Sequence, residues 1–483
     1  VARCDDVSPP GDHRAVVAGA DSAWCRATKR VTAERRHAGE PVTPATLGED
    51  SREPAEGGQR ASHEPKGPLA VISISHGVQH VYLAGLVVAY PFVVETFHVS
   101  YATLGLFLGV VGIVGGLLQA LAGALRGLSA RLLLSVQDLG LASSTLVCAL
   151  APAFWFFGFG LVLGSFVSWP QHPIGTSVLA EHYPRRRAYA LSWHVAAGSI
   201  GTALIPIIAG ALIASFGWRV AVGVIAGPLL LGGLLVAWRL RAHSVPTPSR
   251  TEDDEGRGRR RFRELLRRRE VVGVLLAGTV AAGGRGLGTL SVFVPAYLRS
   301  GLHLAPVTIG VLFTVLLIGS IGGPVIAGSV ADRVGRRRVL LVVYVLGAAA
   351  IATFVSVGRS VVVLGVVGLL LGVLAYSESP LLQSVFSDAL GSVEQRGAFG
   401  YFFAISYGVG SLWTIVLGFV ITHAGFHWAF FGMALSFVGA AAVLLWLRPR
   451  AVSGGRPDDA PARTSEPSRA GRRPGPSIAD EGR

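Results

Sequence analysis

The chain has 483 residues, 51% of them hydrophobic and only 15% charged, with a formal net charge of +14. Ordinary soluble domains are about a quarter charged, so this composition excludes an ordinary soluble fold. The positive charge is not a nucleic-acid footprint, because it gathers in short connections between apolar runs.

Residues 1–68 are polar, rich in Pro, Gly and charge, and read as a disordered tail. They hold no apolar core of a secretory signal. From Leu69 to Leu447, apolar runs alternate with short polar or Gly/Pro clusters. Roughly 20 apolar residues cross a bilayer, and twelve runs qualify: 69–94, 101–124, 132–151, 154–177, 189–215, 220–238, 271–298, 306–330, 339–357, 361–385, 398–422 and 428–447. The expected architecture is all-α, with six spans over 69–238 and six over 271–447. Residues 239–270 form a basic linker, and 448–483 a second disordered tail.

The arginines orient this bundle. Arg126, Arg131, Arg185, Arg186, Arg187, Arg333, Arg336, Arg337, Arg338 and Arg396 fall on one side, and only Arg219, Arg299 and Arg359 on the other. The positive-inside rule then places both termini and the linker in the cytoplasm of a cell-membrane protein. The linker segment "RGRRRFRELLRRRE" (257–270) reads either as an amphipathic helix on an anionic leaflet or as a solvated basic segment. Cys4 and Cys25 lie in the tail and Cys148 in a span, with no metal or redox spacing.

The halves are related. A shift of 205 residues lays Gly105 on Gly310, Gly123 on Gly328 and Arg131 on Arg336. With small insertions, "SVLAE" (177–181) matches "SVFSD" (384–388), which sets Glu181 opposite Asp388. Such repeats mark secondary transporters.

Charge reappears between spans 8 and 9, in "GSVADRVGRRR" (328–338). This stretch resembles the signature loop of the major facilitator superfamily, with Gly328, Asp332, Arg333, Gly335, Arg336 and Arg337 at matching positions. The resemblance covers 69–447. It implies two pseudo-symmetric six-helix bundles and a conformational latch, in which Asp332, Arg336 and Asp388 hold one half against the other. The alternative is topology plus a glycine turn. In the first half "GALRGLSAR" (123–131) has Gly127 where the family carries Asp, which leaves only an Arg131–Glu181 pair.

Ionisable groups inside spans are functional candidates because they are costly there. The resemblance implies that spans 1, 4, 7 and 10 line a central cavity, and all four carry polar groups. Span 1 has His76, Gln79 and His80 on one helical face. Span 4 has Trp169, Gln171 and His172, span 7 has Arg285 within "GGRGLG" (283–288), and span 10 has Tyr376 and Glu378. Arg285 calls for either a carboxylate partner such as Glu378 or an anionic solute. His76, His80, His172 and Glu378 are candidates for proton coupling, and each histidine taken singly is more simply a packed, hydrogen-bonded one. His194 and Asp138 rank lower, Asp138 because it reads as close enough to the inner face to snorkel or to pair with Arg131. "IPIIAG" (205–210) partly matches the family's antiporter motif at Pro206 and Gly210. Within the superfamily, "HGVQH" (76–80), "WPQHPIG" (169–175) and "LSWHVAAGSIG" (191–201) resemble the fosmidomycin-resistance group of drug–proton antiporters.

The expected function is secondary transport of a small organic solute, anionic or amphiphilic, driven by a proton gradient with no bound cofactor or metal and no enzymatic step. Export by antiport is the leading reading. Uptake of an organic anion by symport and a non-transporting receptor or scaffold are the alternatives. A monomer in the lipid bilayer is the default assembly.

Overall fold

The computed structural model describes residues 66–121, 128–240, 263–390 and 395–446. The two expected tails, most of the basic linker, Gly123, Arg126 and Gly127 lie outside the described residues, as does the side chain of Arg396.

The described residues are helical almost throughout. In chain order the helices are α1 (Lys66–Phe97), α2 (Tyr101–Leu121), α3 (Ala130–Ala149), α4 (Phe154–Val167), α5 (Thr176–His182), α6 (Arg187–Arg239), α7 (Arg269–Ala281), α8 (Ser291–Ala296), α9 (Pro306–Val334), α10 (Arg336–Ser356), α11 (Val361–Leu390), α12 (Gln395–Phe403), α13 (Leu412–Ala424) and α14 (Phe426–Trp446). Helix is the element that satisfies every backbone group without water, and the ends are marked locally. Ser129 caps α3 by accepting from the Leu132 amide, and Pro306 opens α9 where its missing N–H costs nothing. Gly335 separates α9 from α10 at φ 107°, a conformation that disfavours a side chain. The linker's described part is a helical turn over 263–267, in which Leu265 is buried and Leu266 faces outward.

Ten helices among the described residues are long and apolar enough to cross a membrane, against the twelve runs expected. One difference is α6, where two expected spans form a continuous helix that divides only at Gly217 (φ 78°, ψ 165°). The other is the expected span 154–177. Here α4 is only 14 residues long and gives way, around Pro170 and Pro173, to a π-helical turn (Gln171–Gly175) before α5. Side chains such as Trp155, Phe159, Leu231, Val362 and Trp446 are more than half exposed. An apolar outer surface of this extent is what lipid solvates.

The repeat is visible in how the halves meet. A Cβ on Gly105 of α2 would lie 2.5 Å from the Thr414 carbonyl and 3.2 Å from Gly418 Cα of α13. A Cβ on Gly210 of α6 would lie 2.5 Å from the Pro306 carbonyl and 3.2 Å from Gly310 Cα of α9. These are the same contact made twice, since Gly105 and Gly310 are 205 apart and Gly210 and Gly418 are 208 apart. Small residues let the helix backbones touch here, which is the packing the "IPIIAG" segment serves. Gly310→Val should therefore destabilise the protein by about 1–3 kcal/mol through overpacking. Gly322→Val on the same helix, where a Cβ meets nothing within 4 Å, should not. Thermal unfolding of both variants in detergent checks the pair.

Around these crossings the halves are also joined by polar contacts. Arg299 forms a two-pronged ion pair with Glu95 (2.9 and 3.1 Å), and the Tyr101 hydroxyl bonds Ser300 (2.8 Å). The Ala102 amide donates to Thr422 Oγ1 (2.9 Å). All lie at the face that carries the connections 98–100 and 302–305, where they join the two halves.

Candidate functional site

The break between α4 and α5 organises the first half. Prolines at 170 and 173 cannot donate to a helix ladder, and polar side chains of α1 and α3 occupy the space beside the loosened turn. Gln79 donates to the freed Ser168 carbonyl (2.7 Å). Gln171, fully buried, donates to the Ile72 carbonyl (3.1 Å), and its Oε1 accepts from Ser75 (3.1 Å) and Gln137 (2.8 Å). Gln137 also donates to Asp138 Oδ1 (3.0 Å). The second oxygen of Asp138 has no hydrogen-bond partner, and Asp138 is 0% exposed with no ion pair among the described residues. Gly232 of α6 closes over it: a Cβ there would lie 3.2 Å from Oδ2.

Asp138 thus departs from the sequence expectation, which let it snorkel or pair with Arg131. Seven residues of helix separate the two, about 10 Å of rise, and aspartate has no long stem with which to reach an interface. Neither is Arg131 ion-paired with Glu181 among the described residues, and both are exposed.

The histidines interleave with this network along α1 and the α4–α5 break. His76 donates from Nδ1 to the His194 carbonyl (2.7 Å). His80 Nδ1 meets Thr202 Oγ1 (2.7 Å), whose own hydrogen goes to the Gly198 carbonyl (2.9 Å). The ring of His194 stacks on that of His76 at 4.0 Å, and the ring of His172 lies 5.1 Å from it. His194, ranked low in the sequence, is therefore part of the cluster. His76 is buried, His80 partly so and His172 exposed, so the cluster opens on one side.

In the second half the glycine-rich segment breaks span 7. α7 ends at Ala281, and Arg285 stands in extended backbone (φ −61°, ψ 132°) before a π-helical turn (Gly286–Leu290). The glycines admit neighbours: a Cβ on Gly283 would lie 2.8 Å from Ser436 Cβ, and one on Gly284 2.8 Å from Phe437. Arg285 takes Glu378 in a forked ion pair, Nε to Oε2 at 2.8 Å and Nη2 to Oε1 at 3.1 Å. It also donates to the carbonyls of Ser406 and Gly278, each at 2.8 Å, and lies 4.4 Å from the ring centre of Tyr407. Four of its five N–H groups are engaged within the protein. Of the two partners the sequence left open for Arg285, the structure supplies the carboxylate. Ser406 belongs to a second irregular stretch, Ala404–Ser411, inside the expected span 398–422. Tyr376 bonds Ser291 (2.5 Å), and Ser379 bonds Tyr407.

The signature loop also assembles. Arg336 reaches Asp388 at 2.6 Å and Asp332 at 3.8 Å. These three residues come from α10, α11 and α9, so the cluster ties helices of one half together. Among the described residues no hydrogen bond or ion pair links these three side chains to the other half, so in this arrangement they do not hold the halves together as the resemblance implies. Arg337 donates to the Leu444 carbonyl of α14. Arg333 stands exposed in the last turn of α9, where its charge complements the helix dipole. Nothing surrounds a Cβ at Gly328, and the structure offers no packing reason for that glycine.

A family model described as the Major Facilitator Superfamily matches residues 72–284 and again 274–476. A putative metabolite transport protein of Haemophilus influenzae is 24% identical over 364 residues, 73% of this chain and 86% of that one. Among solved structures, a bacterial homolog of the lysosomal transporter Spinster, in an inward-facing unoccupied conformation, aligns with TM-score 0.62 and 16% identity over 80% of this chain and 96% of its own. The nucleoside transporter NupG aligns at 0.61 and 15% over 78% and 98%, and a D-xylose–proton symporter at 0.63 and 14% over 79% and 98%. These likenesses establish the fold, and the doubled match of the family model mirrors the doubled helix crossing. The chain is a multi-pass membrane transporter of small solutes and belongs to the Major Facilitator Superfamily.

Proposed function

We propose that this transporter exports a small polar organic solute in exchange for protons, by alternating access between its two halves. One observation carries the coupling: the halves treat their buried charges differently. In the second half Arg285 and Glu378 neutralise each other. In the first, Asp138 is buried with no cation beside it among the described residues and with one oxygen unpartnered. An ionised carboxylate is costly in that setting, so Asp138 is the group that carries the proton, a task the sequence alone assigned to the histidines and Glu378. Solute binds between the halves beside the exposed His172. Arg285 is spent on Glu378, so it contributes no free positive charge to select an anion. Export rather than uptake rests on the resemblance of "HGVQH" and "WPQHPIG" to the fosmidomycin-resistance antiporters, and the arginine asymmetry supports an Asp332 face on the cytoplasmic side of the cell membrane.

The test is accumulation of a labelled solute panel, including phosphonates, sugars and nucleosides, in cells with and without the protein, each with and without a protonophore. Lower accumulation that a protonophore abolishes is expected. Higher accumulation with the same sensitivity would replace export by proton-coupled uptake. Unchanged accumulation of every solute would overturn the reading for these classes.

A further inference from the structure

Three imidazoles from two helical segments converge in the first half. His76 and His80, four residues apart on α1, have ring centres 4.6 Å apart, and His172 of the α4–α5 break stands 5.1 and 6.3 Å from them. One ring nitrogen from each lies within 4.8 Å of the others. Three nitrogens around a tetrahedral Zn2+ stand about 3.3 Å apart, given bonds of about 2.0–2.1 Å. Binding therefore requires the rings to draw in by up to about 1.5 Å, with the exposed His172 the least enclosed of the three.

The hydrogen bonds fix which nitrogens are on offer. The His194 carbonyl can only accept, so His76 carries its proton on Nδ1. Thr202 gives its hydrogen to Gly198, so its oxygen accepts from Nδ1 of His80. Both rings are held with an Nε2 lone pair free, and both Nε2 atoms are buried without a partner among the described residues. His76 itself is 3% exposed. A carbonyl or hydroxyl gripping the far N–H is how proteins orient metal-binding histidines. Gly198 makes the room: a Cβ there would lie 2.6 Å from His76 Cε1 and 3.1 Å from His80 Cδ2.

We propose that His76, His80 and His172 bind a borderline divalent transition-metal ion of the Zn2+ or Co2+ class. His76 and His80 supply Nε2, and His172 supplies either ring nitrogen. Among the described residues no carboxylate joins the group, which disfavours hard, oxygen-seeking ions such as Mg2+ and Ca2+. Three protein ligands leave the fourth position open on the His172 side, where an oxygen or nitrogen of a solute can enter. The site is independent of the direction of transport and of the proton carrier.

The test uses the full-length protein, purified with a non-histidine tag in detergent and stripped with a chelator. Zn2+ is titrated by calorimetry, and Co2+ is followed by visible absorption, which reports four-coordination directly. Wild type should bind one ion with an intense four-coordinate Co2+ spectrum. His80→Ala and His172→Ala should lose both signals, while His423→Ala on α13 keeps them. Thr202→Val, which removes the acceptor orienting His80, should weaken Zn2+ binding about 10- to 100-fold. Absence of a Co2+ spectrum in wild type, or its persistence in His172→Ala, would overturn the proposal. His172 is exposed, so that variant decides the matter even if His80→Ala does not fold.

Discussion

Glu378→Ala should leave little folded protein. The substitution strands the Arg285 guanidinium, 3% exposed, in the interior with carbonyl partners but no countercharge. Removing one partner of a buried pair costs about 3–5 kcal/mol, whereas replacing both with apolar residues of similar volume is often neutral or stabilising. The double variant Arg285→Met/Glu378→Leu should therefore recover much of the folded yield. Recovery will be partial, since the carbonyls of Ser406 and Gly278 lose their donor, and unmet acceptors carry their own cost. Size-exclusion profiles and thermal unfolding of both variants and wild type check this order. A wild-type profile for Glu378→Ala would mean that the pair contributes nothing to the fold, and would return Arg285 to the solute as an anion site.

The reason for so large an expected effect is local. α7 stops at Ala281 and the chain runs irregularly to Leu290, so the backbone gives up helix hydrogen bonds inside the membrane-spanning region. Arg285 replaces part of that loss, reaching back to Gly278, across to Glu378 on α11 and to Ser406 in the irregular part of the segment that leads into α13. One side chain thus joins two broken segments and an intact helix. Such buried, forked, charge-assisted bonds specify geometry as well as supply energy.

How much of this was legible in the sequence follows from what sets each feature. The spans were, because the bilayer imposes a threshold of length and apolarity that a single chain displays openly. The loop 328–338 was too, as a charge cluster with its glycine turn, and Arg336 does reach both Asp332 and Asp388. Whether that cluster bridges halves was not legible, since two carboxylates at equivalent depths do not say which helices stand between them. The helix breaks were half visible. Pro170, Pro173 and the glycines at 283–288 announced weak helix, but whether such a segment unwinds depends on partners elsewhere, such as Gln79 for the Ser168 carbonyl. Spacing alone paired His76 with His80. His194 joined them only through folding, because Gly77 and Gly201 bring α1 and α6 so close that a Cβ on Gly201 would run into the Gly77 carbonyl. The depth of Asp138 was not legible, because nearness to Arg131 along the chain does not show that Gly232 of α6 covers the carboxylate.

That carboxylate carries the other large prediction. Asp138→Asn keeps the size and planar shape of the side chain and can still accept from Gln137, but it cannot lose or gain a proton. Alternating access does not need that proton, so exchange of labelled for unlabelled solute across a proteoliposome membrane should survive. Transport against a gradient does need it, because the free energy coupling proton to solute is reciprocal and vanishes when one of them no longer binds. Solute movement driven by an imposed pH difference should fall to the level seen with a protonophore. Thermal stability should not drop, since the amide replaces a buried group that is costly whenever it is charged. This combination separates loss of coupling from misfolding, which would abolish exchange as well. Undiminished pH-driven transport in Asp138→Asn would move the proton to another group, and the next to substitute would be His194, the member of the neighbouring cluster that is not a metal ligand.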